Sequence, residues 1–174
     1  YYFDTSHLRF LQNLFLGVYQ AQKANVGHGA MSLDKLELTS TGLIDKSRYQ
    51  SLMDKRLKDY KSRLMSLAFK SDSMGAIPVF VTQSTIEEAI FNKKAKAPSF
   101  VQDYDSYQIN GIDRVIMRSI LNATTMTICD DFVGAVCVNL AEELKFDVVD
   151  FYDTVHNTPA GAEKIGKYLA TKLN

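Results

Sequence analysis

The sequence predicts an α/β domain built on a parallel sheet. Two short apolar runs rich in β-branched residues, at 76–82 and 135–140, are typical of strands that are buried on both faces. A helical pattern lies between them, and a crossover that contains a helix joins parallel strands. With 174 residues, the chain has the length of one domain.

Apolar residues at helical spacing predict a helix on either side of each strand. The predicted helices are 8–24, with Ser6 as its N-cap, 47–69, 112–132 and a terminal helix with Thr158 as N-cap and Pro159 at its first position. The helix at 47–69 is expected to bury a stripe that extends to Leu67. The expected buried face of the terminal helix comprises Ala162, Ile165, Leu169 and Leu173.

Two long loops are predicted, at 25–46 and 84–110. The first contains Gly27 and Gly29 and has poor hydrophobic periodicity. The second is polar, with interspersed aromatic residues and lysines. A connection of that length is uncommon inside a compact domain. It is either a loop that covers a substrate or an ordinary insertion packed by its own aromatic residues.

Two strands are too few for a stable parallel sheet. An isolated pair leaves both edges unsatisfied and offers the helices little surface to cover. We therefore expect further strands from sequence that precedes Tyr1 or from another chain. No signal-peptide pattern follows Tyr1, which is typical of a cut or processed end.

Composition argues against several classes of function. The 20 Lys and Arg residues balance 20 Asp and Glu residues, so there is no broad electrostatic reason to bind nucleic acid. The apolar runs are too short to span a bilayer. Cys129 and Cys137 are interpreted as buried thiols, which leave the compartment open. Their spacing to the histidines does not suit zinc, there is no phosphate-binding loop, and no cofactor is expected.

Residues 150–161 contain the strongest candidates for chemistry. Asp153 and His156 lie between the second predicted strand and the terminal helix, in the position where α/β folds place their sites. The carboxylate can accept a hydrogen bond from one ring nitrogen and leave the other for a substrate or a nucleophile. An Asp-x-x-His pattern alone suits a surface loop with a solvated histidine equally well. His7 and His28 have no acid at useful spacing, and we expect both on the surface.

The last part of the chain resembles the C-terminal end of the SGNH (GDSL-like) hydrolases. The similar features are the run from Gly134 to Leu140, a linker of twelve residues, the block from Asp153 to Gly161 and a final helix. In that family the last block is Asp-x-x-His, usually followed by glycine at the start of the closing helix. The run 77–83 looks like the penultimate strand of the family.

The resemblance implies a three-layer, doubly wound (flavodoxin-like) parallel sheet, with residues 1–174 as the C-terminal part of one domain. It also implies a serine esterase or acylhydrolase in which Asp153 orients His156, the general base for a serine hydroxyl. Asp150 is the competing acid, and we expect it to be a solvated or helix-facing charge. The implied substrate is an ester or acylated small molecule, lipid or glycan, without a cofactor.

The sequence lacks the Gly-Asp-Ser and Gly-x-Asn-Asp blocks of that family, and Asn110-Gly111-Ile112-Asp113 has the wrong order and position. We therefore expect the nucleophile and the oxyanion hole before Tyr1, and an inactive chain without them. Ser84 is the best-placed serine, but it has no glycine-flanked elbow and suits a strand end better. A domain that keeps the fold only for binding or assembly is the alternative function.

Overall fold

The computed structural model describes residues 36–173, which form a mixed α/β structure. Its strands are β1 (Leu38–Thr39), β2 (Val79–Val81), β3 (Ala97–Pro98), β4 (Gln102–Tyr104), β5 (Tyr107–Ile109) and β6 (Val136–Val138). Its α-helices are α1 (Tyr49–Ser73), α2 (Ile86–Lys94), α3 (Gly111–Asp131), α4 (Leu140–Glu143) and α5 (Pro159–Lys172). The predicted helix at 8–24, His7 and His28 lie outside the described residues.

The two predicted strands pair in parallel, as expected. β2 and β6 are in register, with Phe80 opposite Cys137. Phe80 is buried against α1 and α3, but Val79 and Val81 are 43% and 37% exposed. The prediction that this strand is buried on both faces is therefore wrong. Within residues 36–173, β2 pairs only with β6, and the opposite face of β2 is left partly open.

The helices α1 and α3 pack against each other and against the parallel strands. Both were predicted to within a few residues at each end. Tyr49, Met53 and Leu57 lie four positions apart, so they share one face of α1, and all three are buried. The predicted stripe does not extend to Leu67, which is 64% exposed.

The prediction of a loop at 84–110 is wrong, because this segment contains α2, β3 and the hairpin of β4 and β5. Thr85 and Glu88 form a capping box that starts α2. That Thr-x-x-Glu signal is present in the sequence and identifies a helix start. The described part of the predicted loop 25–46 contains β1, which pairs antiparallel with β3. It leads into a 3₁₀ turn at Lys46–Arg48.

The end of the chain follows the prediction closely. The strand predicted at 135–140 is shorter, because Leu140 already begins α4. Helix α5 begins at Pro159, and the Thr158 hydroxyl accepts a hydrogen bond from the Gly161 N–H. Of the predicted buried face, Ile165 and Leu169 pack against the core, whereas Ala162 and Leu173 are exposed.

Cys129 and Cys137 form a disulfide, so their interpretation as buried thiols is wrong. The last turn of α3 and the strand β6 bring their Cα atoms to 5.8 Å. The sequence separation of 8 gives no hint of this, because it spans a helix end, a turn and a strand start. The bond ties α3 to the parallel pair of strands.

Reduction of this disulfide is expected to lower the free energy of unfolding by about 2–3 kcal/mol, because a short closed loop restricts the unfolded chain. Urea denaturation with and without a thiol reductant measures the difference. The double variant Cys129→Ala, Cys137→Ala is the control, and its midpoint should not respond to the reductant. An identical midpoint for the oxidised and reduced natural sequence would contradict the expectation.

Candidate acid and base site

The loop that carries Asp153 and His156 is held at both ends. Phe151 is fully buried, and it forms an antiparallel bridge with Asn157. The Tyr152 N–H donates to the His156 carbonyl oxygen at 3.1 Å. These contacts fold residues 151–157 into a narrow loop whose tip projects from the core.

Asp153 and His156 are in direct contact, as predicted. Asp153 Oδ2 lies 2.7 Å from His156 Nδ1. The other carboxylate oxygen accepts hydrogen bonds from the backbone N–H of His156 at 2.7 Å and of Val155 at 2.9 Å. Those backbone bonds, followed by the contact with the imidazole, lower the pKa of Asp153 to about 2.

An ionised carboxylate accepts hydrogen bonds and does not donate them, which fixes the imidazole tautomer. Nδ1 of neutral His156 carries the proton toward Asp153, so Nε2 keeps its lone pair. Because the pKa of Asp153 is depressed, the stabilisation from this carboxylate is present above the ordinary aspartate pKa of 3.8. It is lost as the pH falls toward 2.

The ring of Tyr152 packs against one face of the imidazole. It stacks on His156 with a centroid distance of 5.6 Å and an angle of 9° between the planes. The His156 side chain is 64% exposed and that of Asp153 is 41% exposed. The imidazole is thus oriented by a carboxylate and an aromatic face while it stays accessible to a reacting group.

Asp150 does not compete for the histidine. It is buried, and its Oδ2 accepts hydrogen bonds from Lys164 Nζ and from the Asp147 N–H, both at 2.8 Å. Asp150 therefore faces helix α5, which was one of the two expected roles, and it is not solvated. A Cβ atom on Gly161 would lie 2.2 Å from the Asp150 carbonyl oxygen. Glycine is required there because helix and loop approach so closely.

Ser84 is buried and is not joined to the candidate base. Its hydroxyl donates to Glu88, a carboxyl whose pKa burial raises. Among residues 36–173, no hydrogen bond connects Ser84 with His156. Ser84 lies just before Thr85, the N-cap residue of α2.

Asn110 and Asp113 have a structural role at the start of α3. The Asn110 side chain accepts from the N–H groups of Ile112 and Asp113, and the Asp113 carboxylate accepts from the Asn110 N–H. Asp113 also accepts from the Tyr49 hydroxyl at 2.6 Å. This capping box explains the sequence from Asn110 to Asp113, whose residue order differs from that of the Gly-x-Asn-Asp block in the hydrolase family.

An open cleft of about 650 Å³ lies beside the loop that carries Asp153 and His156. Thr154 and Val155, the two residues between Asp153 and His156, form part of its wall. The Ile86 N–H donates to the Thr154 carbonyl oxygen at 3.1 Å, which ties this wall to the start of α2. The helices α1 and α3, the start of α2 and the β4–β5 hairpin provide the remaining lining.

Sequence reasoning missed the charged residues of this cleft. Arg114 Nε donates to the buried Glu87 carboxylate at 3.0 Å, and the two residues come from α3 and α2. The pairing of Arg114 with Glu87 can be predicted only if both helices are predicted, and α2 was not. A signal was available, because Thr85 and Glu88 mark the start of the helix that carries Glu87.

Two further features are absent from the part of the chain that the structure describes. Between residues 36 and 173, no helix is long and apolar enough to span a membrane. In the same range, no group of three or more His, Cys, Asp or Glu side chains is placed to hold a metal ion. Comparisons with protein-family models, curated proteins and solved structures gave no match.

Proposed function

We propose that this chain supplies the acid and base of a serine ester hydrolase of the SGNH type. The observation that carries the proposal is the 2.7 Å contact between Asp153 Oδ2 and His156 Nδ1. Two backbone hydrogen bonds and an aromatic stack hold this pair on an exposed loop beside a cleft. A solvated surface histidine needs none of these constraints.

In the proposed reaction, His156 Nε2 removes the proton of a serine hydroxyl as the oxygen attacks the ester carbonyl. The tetrahedral intermediate collapses to an acyl-enzyme, and the imidazolium returns its proton to the departing alcohol. A water molecule, activated in the same way, then releases the carboxylic acid. Asp153 stays ionised throughout and stabilises the imidazolium.

In this proposal, the nucleophile and the oxyanion hole are supplied by sequence that precedes Tyr1 or by a second chain. The three-layer, doubly wound fold belongs to the same proposal, with further parallel strands on the sheet of β2 and β6. The partial exposure of Val79 and Val81 supports this part, since a strand of an extended sheet would have them covered.

A domain that binds or assembles without catalysis is the second candidate. It is favoured by one observation: among residues 36–173, no serine hydroxyl is hydrogen-bonded to His156. The substrate of the esterase and the ligand of the binding domain can share the same cleft, so the cleft does not separate the two candidates.

The 174-residue chain alone is expected to be inactive on short-chain aryl esters, because a base without a positioned nucleophile and oxyanion donors has nothing to activate. Release of 4-nitrophenol from 4-nitrophenyl acetate is measured first with this chain and then with the preceding segment supplied in the same or a second polypeptide. We expect activity only in the second case.

The variant Ser84→Ala is the control for a nucleophile within the chain. Activity of the chain alone that Ser84→Ala abolishes would place the nucleophile at Ser84 and contradict the proposed arrangement. Inactivity with the preceding segment, on a panel of acetyl, butyryl and longer acyl esters, would favour the binding domain.

A further inference from the structure

The cleft beside the acid and base has an apolar floor. Met53, Ile109 and Met117 lie in it and are buried. Thr154 and Val155 place the Asp153–His156 loop at one wall. A ligand that reaches His156 from this side therefore lies with its body on an apolar surface.

The side chains around this floor carry an excess of positive charge. Four arginines line the cleft, at positions 56, 63, 114 and 118, against two acids, Asp59 and Glu87. One of the four, Arg56, pairs with Asp105 outside the lining at 2.8 Å. The chain as a whole has a formal net charge of zero. The buried Glu87 is already paired with Arg114, whereas Arg63 is exposed and has no ion pair or hydrogen bond with another residue of the range 36–173. Such a cleft attracts anions.

Arg114 is held in place, but one of its hydrogen-bond donors has no acceptor. Its Nε pairs with Glu87, and its guanidinium lies 4.2 Å from the centroid of the Phe100 ring. Nη1 donates to the exposed amide oxygen of Gln102 at 3.2 Å. Nη2 is buried and has no hydrogen-bond partner. A buried donor on a charged group without an acceptor is costly, and native structures rarely leave one unmatched.

A carboxylate matches this arrangement. Its two oxygens can accept from Nη1 and Nη2 together, in the planar bidentate geometry that arginine favours. To do so it must displace the exposed Gln102 amide from Nη1, and it must reach Nη2, which is buried in the free protein. The amide is a neutral and therefore weaker acceptor than a carboxylate. The apolar floor between Arg114 and the Asp153–His156 loop then accommodates an aliphatic segment.

We propose that the cleft binds an ester that carries a free carboxylate separated from the ester group by an aliphatic segment. Arg114 is the residue that determines specificity for the carboxylate, and Arg63 adds long-range attraction. The assignment of the ester end rests on the proposed hydrolase function, whereas the carboxylate site does not depend on it.

Titration of the ¹⁵N-labelled chain with monomethyl adipate and with dimethyl adipate tests the site by NMR. The two probes differ only in one carboxylate, which is blocked in the diester. We expect the monoester to shift the resonances of Arg114 and Thr154 and to bind at least about tenfold more tightly than the diester, which is the strength of a charge-assisted pair. Equal affinities would overturn the proposal.

Arg114→Lys keeps the charge that Glu87 needs but removes the planar fork. It is expected to remove most of the preference for the monoester, and an unchanged preference would overturn the assignment to Arg114. Arg63→Gln, at an exposed position, is expected to weaken binding of the monoester by about threefold at low salt. Arg48→Lys is the matched control outside the cleft and should bind both probes like the natural sequence.

The same titration with His156→Ala separates this proposal from the proposed function. This variant should keep the preference for the monoester, because the Arg114 site does not involve the imidazole. If the natural sequence shows that preference but hydrolyses no ester, even with the preceding segment, the carboxylate site is supported and the hydrolase is contradicted. Hydrolysis without any preference for a carboxylate would support the hydrolase and contradict the site.

Discussion

His156→Ala is expected to reduce ester hydrolysis by at least about a thousandfold in the catalytically competent protein, which contains the nucleophile. Without the imidazole, the serine hydroxyl has no acceptor for its proton, and the departing alcohol has no donor. The measurement is kcat/KM for 4-nitrophenyl acetate. KM is expected to change little, because the base acts on the transition state more than on the bound ester.

The exposed position of His156 makes the control straightforward. Its side chain is 64% exposed, so its removal should leave the melting temperature nearly unchanged. Added imidazole can enter the vacated position and is expected to restore part of the lost rate. An unchanged kcat/KM would remove His156 from catalysis, and loss of activity with loss of folding would make the residue structural.

Asp153→Asn is expected to reduce kcat by a factor of about a thousand to ten thousand. An asparagine amide can donate to Nδ1, which would move the ring proton to Nε2 and leave no lone pair for the serine. Tautomer-sensitive ¹⁵N chemical shifts of the imidazole test this reason directly, and they should report Nδ1–H in the natural sequence and Nε2–H in the variant.

Asp72→Asn, at an exposed position on α1 away from the loop, is the matched control and should keep full activity. Since the pKa of Asp153 is about 2, any loss of activity between pH 7 and pH 5 must come from another group. An Asp153→Asn variant with normal kcat, or with an unchanged imidazole tautomer, would contradict the orienting role of this carboxylate.

Short-range signals in the sequence predicted the elements that they govern. The Thr158 cap and Pro159 fixed the start of the last helix, because both act through local backbone geometry. The contact of Asp153 with His156 was predictable for a similar reason, since the two residues lie in one short loop. The parallel pairing of β2 with β6 followed from the helix in the crossover between them.

Long-range features escaped sequence reasoning. The disulfide depends on where α3 ends relative to β6, and no local pattern reports that distance. The exposure of Val79 depends on what covers the sheet, which an apolar run does not reveal. The strands in the segment 84–110 were missed because they are two or three residues long, too short for a periodic pattern to appear.

The Asp113 carboxylate has a consequence for the speed of folding. It accepts hydrogen bonds from the N–H groups of Leu43 and Ile44, about seventy positions earlier in the chain. Bringing such distant segments together costs loop-closure entropy before any bond is formed. The segment before α1 and the start of α3 must therefore meet across a long loop, and proteins rich in such distant contacts fold more slowly than helical bundles of equal length.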